Sequence, residues 1–117
     1  MPTRQPEVPA VLRIASSLLL IAALAESTKE GPCDIFAAGG TPCVAAHSTT
    51  RALYRSYNGS LYQIMRSSDR TTRDIPTLSV GGVANSAVQS LFCAGTRCFI
   101  QRIYDQSPNQ NHLSPAP

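Results

Sequence analysis

Hydrophobic and polar residues alternate in short runs through most of the chain after Glu26. No segment there holds an apolar stripe at helical spacing over three turns, whereas several runs of β-forming residues stand between Gly, Pro and Asn. The pattern therefore predicts a mainly β protein. One exception is Val44 to Ala52, which predicts one or two helical turns with Ser48 or Thr49 as the cap.

A β-hairpin is predicted around Asn58-Gly59. The flanking runs, 53–57 and 60–65, are both β-prone, and Asn-Gly is the preferred type I′ turn because both central residues take positive φ. Period-2 alternation then places five side chains on one face of the ribbon: Leu53, Arg55, Tyr57, Tyr62 and Ile64. That face is mostly apolar and needs a second layer.

The second half of the chain predicts further strands and turns. Residues 66–74 are polar and mixed in charge, which predicts a solvated strand or loop, and 78–83 predict a strand end and turn. Residues 91–104 are expected to supply a strand pair, or one strand with a loop, and 98–104 is the most β-like run. Residues 105–112 predict a dense turn, because Asp, Ser and Asn side chains hydrogen-bond their own backbone.

The first 25 residues are organised as a secretory signal peptide. Two arginines form a basic region, residues 14–24 an apolar run, and Ala23-Leu24-Ala25 an A-x-A cleavage site. A membrane anchor is the alternative, but the apolar run is well short of the roughly 20 residues that span a bilayer. We expect a secreted, extracellular protein whose mature chain, residues 26–117, has no membrane attachment.

Length and charge narrow the classes of function. The 117 residues allow one small domain at most. The net charge is +3, and removal of residues 1–25, which carry two Arg and one Glu, lowers it by one to +2. The remaining basic residues form no dense run, so nucleic acid is not an expected partner.

The cysteines predict disulfides. All four follow the leader: Cys33, Cys43, Cys93 and Cys98. An even number in an exported chain indicates two disulfides, and of the three possible pairings the spacing favours the two local ones, each closing a short loop. Zinc is the rival interpretation, but neither pair has C-x-x-C spacing and His47 and His112 are not paired at ligand spacing. We expect no metal and no other cofactor.

Two further motifs lie in predicted turns. Asn58-Gly59-Ser60 is a glycosylation sequon, so Asn58 is a candidate glycosylation site at an exposed tip. The alternating oxygen-bearing side chains of 105–112 begin like a calcium loop, yet Gln110 and Ala116 stand where Gly and Glu are expected. A structural turn is the preferred interpretation of that segment.

No residue has the context of a catalytic group. There is no G-x-S-x-G elbow, and His47 and His112 are interpreted as turn or capping residues. A retaining glycosidase needs two carboxylates about 5 to 5.5 Å apart. The chain has four aspartates that could take that role: Asp34, Asp69, Asp74 and Asp105. None has surroundings that would raise its pKa, so no catalytic residue is assigned and the substrate-binding residues stay unknown.

Several runs carry a family resemblance. Gly31 to Phe36 and Thr41 to Tyr54, which includes His-Ser-Thr-Thr-Arg-Ala-Leu-Tyr, closely resemble the start of the catalytic domain of fungal α-L-arabinofuranosidase B, glycoside hydrolase family 54. Later runs look like the same family in the same order: 61–63, 81–84, 92–93, Cys98, 103–107 and 111–113. The resemblance covers Gly31 to Pro117.

The resemblance implies a fold, an activity and a pairing of cysteines. It implies part of a concanavalin-like β-sandwich, or jelly roll, with disulfides Cys33 to Cys43 and Cys93 to Cys98. It also implies a retaining hydrolase that removes terminal arabinofuranosyl groups from plant cell-wall arabinan or arabinoxylan. In that family the catalytic carboxylates, the vicinal cysteines and an arabinose-binding domain lie further along, so the chain is expected to be a truncated amino-terminal part, inactive alone.

The chain departs from the family's usual sequence in one turn, and there is one alternative to the function that the resemblance implies. The family's turn after Tyr-Asp-Gln-Ser usually has glycines where this chain has Pro108 and Gln110, so a turn that needs positive φ is expected to be rebuilt or strained. The alternative function is a small secreted carbohydrate-binding or interaction module without catalysis. Its stacking surface would be Tyr54, Tyr57 and Tyr62, which are otherwise expected to pack between strands.

Overall fold

The structure is a computed structural model that describes residues 29–117. The elements in chain order are α1 (Pro32–Ala38), β1 (Ser60–Arg66), β2 (Thr72–Pro76), α2 (Ser86–Phe92) and β3 (Cys98–Ile103). The three strands form one antiparallel sheet in the order β2-β1-β3. The predicted mainly β fold is confirmed. The predicted signal peptide, residues 1–25, lies outside the described residues.

The central strand, β1, carries the core. Tyr62 lies opposite Ile75 of β2 and Ile103 of β3, so these side chains share one face of the sheet. Leu61, Tyr62, Ile64 and Ile75 are buried together. Each such side chain contributes about 1.5 to 3 kcal/mol by leaving water.

The α2 helix covers the apolar face of the sheet. Its Val88 and Phe92 pack against the buried cluster, and the hydroxyl of Tyr62 donates a hydrogen bond to the side chain of Gln89. Val88 and Phe92 are four residues apart and so lie on one side of the helix. Seven residues make about two turns, which is too short for a three-turn stripe, and this explains why the sequence pattern did not predict the helix.

The predicted hairpin at Asn58-Gly59 is wrong. The run 60–65 is a strand, as predicted, but 53–57 is an irregular turn, and β1 pairs with β2 and β3 instead. A type I′ turn needs positive φ at both central residues, and within residues 29–117 positive φ occurs at neither Asn58 nor Gly59. The Tyr57 side chain folds back over this position, and its hydroxyl donates to the Ser60 carbonyl at 2.6 Å. Any Cβ at Gly59 would lie 2.6 Å from that hydroxyl.

The predicted helical turns at Val44–Ala52 are also wrong, because this segment is irregular. Its backbone is bound to other parts of the chain: the N–H of Ala46 donates to Asp105 at 2.7 Å and that of Ala52 to the Gly82 carbonyl at 2.8 Å. Those groups are therefore unavailable for a helix. Ser48 does act locally, since its hydroxyl oxygen accepts the N–H of Arg51 at 3.2 Å.

Most of the other predicted segments agree with the structure. Residues 66–74 contain a tight turn and the exposed start of β2, which confirms a solvated strand or loop. The run 98–104 contains β3, whereas 91–92 end α2 and are not a strand. The turn predicted for 105–112 is present. The segment 78–83 is a turn closed by the bridge between Thr77 and Ala84, and Val83 also forms a bridge with Arg51.

Two disulfides fix the ends of the helices. Cys33 in α1 is bonded to Cys43, and Cys93, directly after α2, is bonded to Cys98 at the start of β3. These are the pairs that the spacing favours. The start of α1 also lies tightly against the 53–55 segment: the N–H of Cys33 donates to the Leu53 carbonyl at 2.9 Å, and a Cβ at Gly31 would lie 2.3 Å from that oxygen.

No helix among residues 29–117 is long and apolar enough to cross a membrane.

Candidate functional site

Among the buried polar side chains, the Asp105 carboxylate accepts the most hydrogen bonds. One of its oxygens accepts the N–H groups of Ala46 and Ser107 at 2.7 and 2.9 Å. The other accepts the Ser107 hydroxyl and the Asn111 N–H, both at 2.9 Å. Four donors occupy the two oxygens, so this carboxylate holds a turn together and has no free lone pair aimed at a ligand.

These hydrogen bonds determine the charge state of Asp105. Burial raises its pKa, but the N–H groups of Ser107, Ala46 and Asn111 together lower it more, and the pKa falls to about 2. The group is therefore ionised at neutral pH and cannot act as a general acid there.

The side chains around Asp105 dock the turn onto the 44–53 segment. The Gln106 side-chain oxygen accepts the N–H of Leu53 at 2.7 Å, and its amide donates to the Arg51 carbonyl at 3.2 Å. The Asn109 amide donates to the Val44 carbonyl at 2.7 Å. The role of Gln106 was missed by sequence reasoning, because nothing local indicates a partner 53 residues away.

Both histidines serve the same turn. The ring Nδ1 of His112 accepts the Asp105 N–H at 3.0 Å, and His47 Nε2 lies 2.7 Å from the Asn111 carbonyl. The interpretation of His47 and His112 as turn residues is confirmed. Neither is hydrogen-bonded to a serine or cysteine nucleophile in the part of the chain that the structure describes.

The turn after β3, which was expected to be rebuilt or strained, contains one residue in the left-handed region. Gln110 takes a φ of 54°, a conformation that glycine adopts freely and glutamine rarely does. Pro108 does not have positive φ. The expected strain is thus present at Gln110.

Asp34 is a local anchor for α1. One of its oxygens accepts the N–H groups of Gly31 and Arg55, both at 2.7 Å. Burial raises the pKa of Asp34. These two hydrogen bonds and the charge of Arg55 lower it by more than burial raises it, so the pKa lies below its usual value. The carboxylate therefore fixes the helix start against the 53–55 segment.

Asp69 is paired within the β1–β2 turn. Both of its oxygens accept from the Arg66 guanidinium, at 2.9 and 2.7 Å, and the backbone and side chain of Thr71 donate to it as well. These hydrogen bonds, led by that from Arg66, hold the pKa of Asp69 well below its usual value. The same guanidinium lies 4.6 Å from the Phe92 ring centroid, which links the turn to α2.

Asp74 lies on the exposed face of the sheet opposite α2. The Tyr104 hydroxyl donates to it at 2.6 Å, and the Gln63 amide donates at 3.1 Å. Burial raises the pKa of Tyr104, and the hydrogen bond and charge of Asp74 raise it further, to about 12. Tyr104 therefore stays protonated and serves as a donor.

The arrangement separates the four aspartates into four local networks. Each carboxylate accepts hydrogen bonds from nearby N–H, hydroxyl or guanidinium groups, and none is hydrogen-bonded to another carboxylate among residues 29–117. Within this range no group of three His, Cys, Asp or Glu side chains could hold a metal ion. The calcium-like spacing at 105–111 instead serves hydrogen bonds to the backbone.

Three tyrosines and the sequon complete the set of candidates. Tyr62 is buried in the core and Tyr57 is half-buried against it. Tyr54 is also half-buried. Asn58 is exposed between Tyr57 and the start of β1.

Comparison with known proteins identifies the family. The family model for the catalytic region of α-L-arabinofuranosidase B matches residues 32–117. The chain belongs to the α-L-arabinofuranosidase B family. The match begins at the first residue of α1 and includes every strand of the sheet.

Relatives in this family are closely similar over the matched region. A probable α-L-arabinofuranosidase B of Aspergillus fumigatus is 68% identical over 87 residues, 74% of this chain and 17% of that protein. The α-L-arabinofuranosidase B of Aspergillus oryzae is 58% identical over 105 residues, 90% of this chain and 21% of that protein. The chain thus spans about a fifth of the length of these relatives.

Solved structures give the same result for the fold. An arabinofuranosidase complexed with arabinofuranosyl-α-1,2-xylobiose matches with a TM-score of 0.73 and 62% identity, over 74% of this chain and 18% of that one. A mutant glycoside hydrolase family 54 enzyme soaked with 4-nitrophenyl α-L-arabinofuranoside matches equally well. The expected fold class, part of the β-sandwich of the arabinofuranosidase catalytic domain, is confirmed.

Proposed function

We propose that this chain is the amino-terminal part of the catalytic domain of a secreted α-L-arabinofuranosidase. The reaction it serves is the hydrolysis, with retention, of terminal non-reducing arabinofuranosyl groups of arabinan or arabinoxylan in plant cell walls. The supporting observation is the family match over 32–117, which covers all the described helices and strands. The similar structures, one complexed with an arabinofuranosyl xylobiose and one soaked with an arabinofuranoside, support this substrate class.

Within that domain the role proposed for residues 29–117 is to build the scaffold. Asp34, Asp69, Asp74 and Asp105 are each held by local donors. A glycosidase acid must instead keep a raised pKa, and its partner carboxylate must face it across the scissile bond. The reacting carboxylates are therefore proposed to belong to other parts of the catalytic domain, and this chain alone is proposed to be inactive.

Secretion is the second part of the proposal. Residues 1–25 have the composition of a signal peptide, and both disulfides suit an oxidising compartment. Asn58 is exposed, as a glycosylated asparagine must be. Digestion of the secreted chain with an N-glycosidase tests this: a mass loss that Asn58→Gln abolishes supports the site, and an unchanged mass contradicts it.

The alternative of a small carbohydrate-binding module is less well supported. Its stacking surface would need exposed aromatic faces, yet Tyr62 is only 6% exposed and its hydroxyl is bonded to Gln89. The Tyr57 hydroxyl is bonded to Ser60. Two of the three tyrosines thus serve packing and not a binding surface.

A segment exchange tests the proposed function. Residues 32–117 of this chain replace the matching segment of the Aspergillus niger α-L-arabinofuranosidase B, a relative 59% identical over 99 residues. We expect kcat/KM for 4-nitrophenyl α-L-arabinofuranoside within about tenfold of the unexchanged enzyme, and a first product that keeps the substrate's anomeric configuration by NMR. An exchanged enzyme that is folded and secreted but inactive would contradict the proposal.

A further inference from the structure

A cleft of about 240 Å³ lies beside Asn58, the asparagine of the glycosylation sequon. This sequon cleft is lined by Tyr54, Ser56, Tyr57, Asn58, Gln106 and Pro108. Its volume is below the roughly 300 to 1,000 Å³ that is typical of sites for drug-sized ligands. The cleft therefore suits a single sugar ring better than a longer saccharide.

The backbone on both sides of Asn58 is held in place. The N–H of Tyr57 donates to the Tyr54 carbonyl at 3.2 Å, and the Tyr57 carbonyl accepts the N–H of Gly81 at 2.8 Å. On the other side, the Tyr57 hydroxyl donates to the Ser60 carbonyl at 2.6 Å. Asn58 is exposed, and no hydrogen bond joins its side-chain amide to another residue of the range 29–117. A glycan on Asn58 would therefore begin at a fixed position on the wall of the cleft.

Tyr54 supplies an aromatic ring with an unused hydroxyl. The hydroxyls of the three other tyrosines each donate to a carbonyl or side-chain oxygen, whereas that of Tyr54 makes no hydrogen bond within residues 29–117. The ring is half-buried and lines the sequon cleft. Burial, and then the charges of Asp105 and Asp34, raise the pKa of Tyr54. The hydroxyl therefore keeps its proton at neutral pH and can donate to a sugar oxygen.

The remaining walls of the cleft are rigid. Gln106 is only 7% exposed, and its side chain is bonded to the N–H of Leu53 and the carbonyl of Arg51. Pro108 is exposed and contributes a ring with few accessible conformations. The cleft thus combines apolar ring faces with a few fixed polar groups, which is the usual composition of a small-molecule site.

We propose that the sequon cleft binds the first N-acetylglucosamine of a glycan attached to Asn58, with the sugar packed on the Tyr54 ring and against Pro108. This inference rests on the proposed glycosylation of Asn58 and not on the proposed hydrolase activity. A sugar tethered beside the cleft is present at high effective concentration, so weak stacking is enough to hold it there. Because the cleft exists only in the folded chain, a bound sugar stabilises that state.

Thermal unfolding of the secreted full chain tests the proposal. The chain is made in a eukaryotic host that attaches N-glycans, the glycan is trimmed by an endoglycosidase to one N-acetylglucosamine, and Asn58→Gln supplies the chain without sugar. We expect the sugar to raise Tm by about 4 °C, and by less than about 1 °C when Tyr54→Ala is present. Tyr54→Phe keeps the ring and should keep most of the rise. Phe99→Ala removes an exposed ring outside the cleft and should leave the rise unchanged.

Making the same comparison in each background cancels the direct effect of each substitution on folding. A second measurement needs no substitution that removes the ring. In the NMR spectrum of the glycosylated chain, we expect nuclear Overhauser contacts between the sugar protons and the Tyr54 ring, which are assigned by their change in Tyr54→Phe.

Separate outcomes distinguish the two proposals. If mass spectrometry finds no sugar on Asn58, the proposed glycosylation fails and the sequon cleft fails with it. If Asn58 carries the sugar, an equal rise in Tm with and without Tyr54→Ala, or the absence of contacts between the sugar and the ring, would overturn only the cleft. Neither result bears on the proposed hydrolase activity, which the segment exchange tests.

Discussion

The carboxylate of Asp105 accepts a hydrogen bond of 2.7 Å from the backbone N–H of Ala46, across 59 residues of sequence. Because this residue also accepts from Ser107 and Asn111, it ties the turn after β3 to the segment after α1. Residues near the two ends of the range 32–117 are thereby held together without a disulfide between them.

Removal of the Asp105 carboxylate should destabilise the chain strongly. Asp105→Ala leaves buried N–H donors, including that of Ala46, without an acceptor, at about 1 to 3 kcal/mol for each unsatisfied group. We expect a loss of about 3 kcal/mol in urea unfolding followed by circular dichroism. Asp74→Ala, at an exposed carboxylate, is the control and should cost under about 1 kcal/mol; equal losses would contradict the structural role of Asp105.

Stability should fall in acid. The pKa of Asp105 is lowered from 3.8 to about 2, so between these values the unfolded chain binds more protons than the folded chain. The contribution of Asp105 is therefore complete above about pH 4 and is lost as the pH falls through about 2. The free energy of unfolding, measured with urea across this pH range, should depend less steeply on pH for Asp105→Ala than for the unsubstituted chain. Identical slopes would show that Asp105 does not titrate as described.

Glycine at position 110 should stabilise the turn. Gln110 has a φ of 54°, a conformation that costs an L-residue about 1 to 2 kcal/mol. Glycine removes this cost, but part of the resulting stabilisation is offset by the greater freedom of glycine in the unfolded chain. We expect Gln110→Gly to raise the free energy of unfolding by about 0.5 to 1 kcal/mol. Gln101→Gly, in β3 without positive φ, should lower it instead. A destabilising Gln110→Gly would show that the turn is not strained.

Tyrosine ionisation should report the contact between Tyr104 and Asp74. The pKa of Tyr104 is raised to about 12, by burial and then by its hydrogen bond to Asp74. In an alkaline titration followed by tyrosinate absorbance, the last transition should lie near 12 and disappear in Tyr104→Phe. Asp74→Asn should move that transition to lower pH, because the amide carries no negative charge. No movement would mean that the hydroxyl does not bind this carboxylate.

Strand positions were predictable where the local pattern was strong. The run 60–65 became β1 and 98–104 contains β3, because apolar residues, some of them β-branched or aromatic, make up most of both runs. The pairing was not predictable from Asn58-Gly59, since the local preference of that dipeptide was overridden by packing of Tyr57 over the glycine. Tertiary contacts decided which strands pair.

The polar networks were only partly predictable. The turn at 105–112 followed from its Asp, Ser and Asn residues, whose short side chains bond nearby backbone. The partners of Asp105 and Gln106 in the 46–53 segment could not be inferred, because they depend on how the chain brings distant segments together. Both helices were missed because each has only seven residues.

The most direct test of the scaffold role is an assay of the full chain on 4-nitrophenyl α-L-arabinofuranoside, with circular dichroism to show that the chain is folded. We predict no release of 4-nitrophenol above the uncatalysed rate. Asp74→Asn is the diagnostic variant, because this carboxylate is exposed on the sheet and its substitution should leave the fold intact. Release that scales with the amount of folded chain and is abolished by Asp74→Asn would contradict the account.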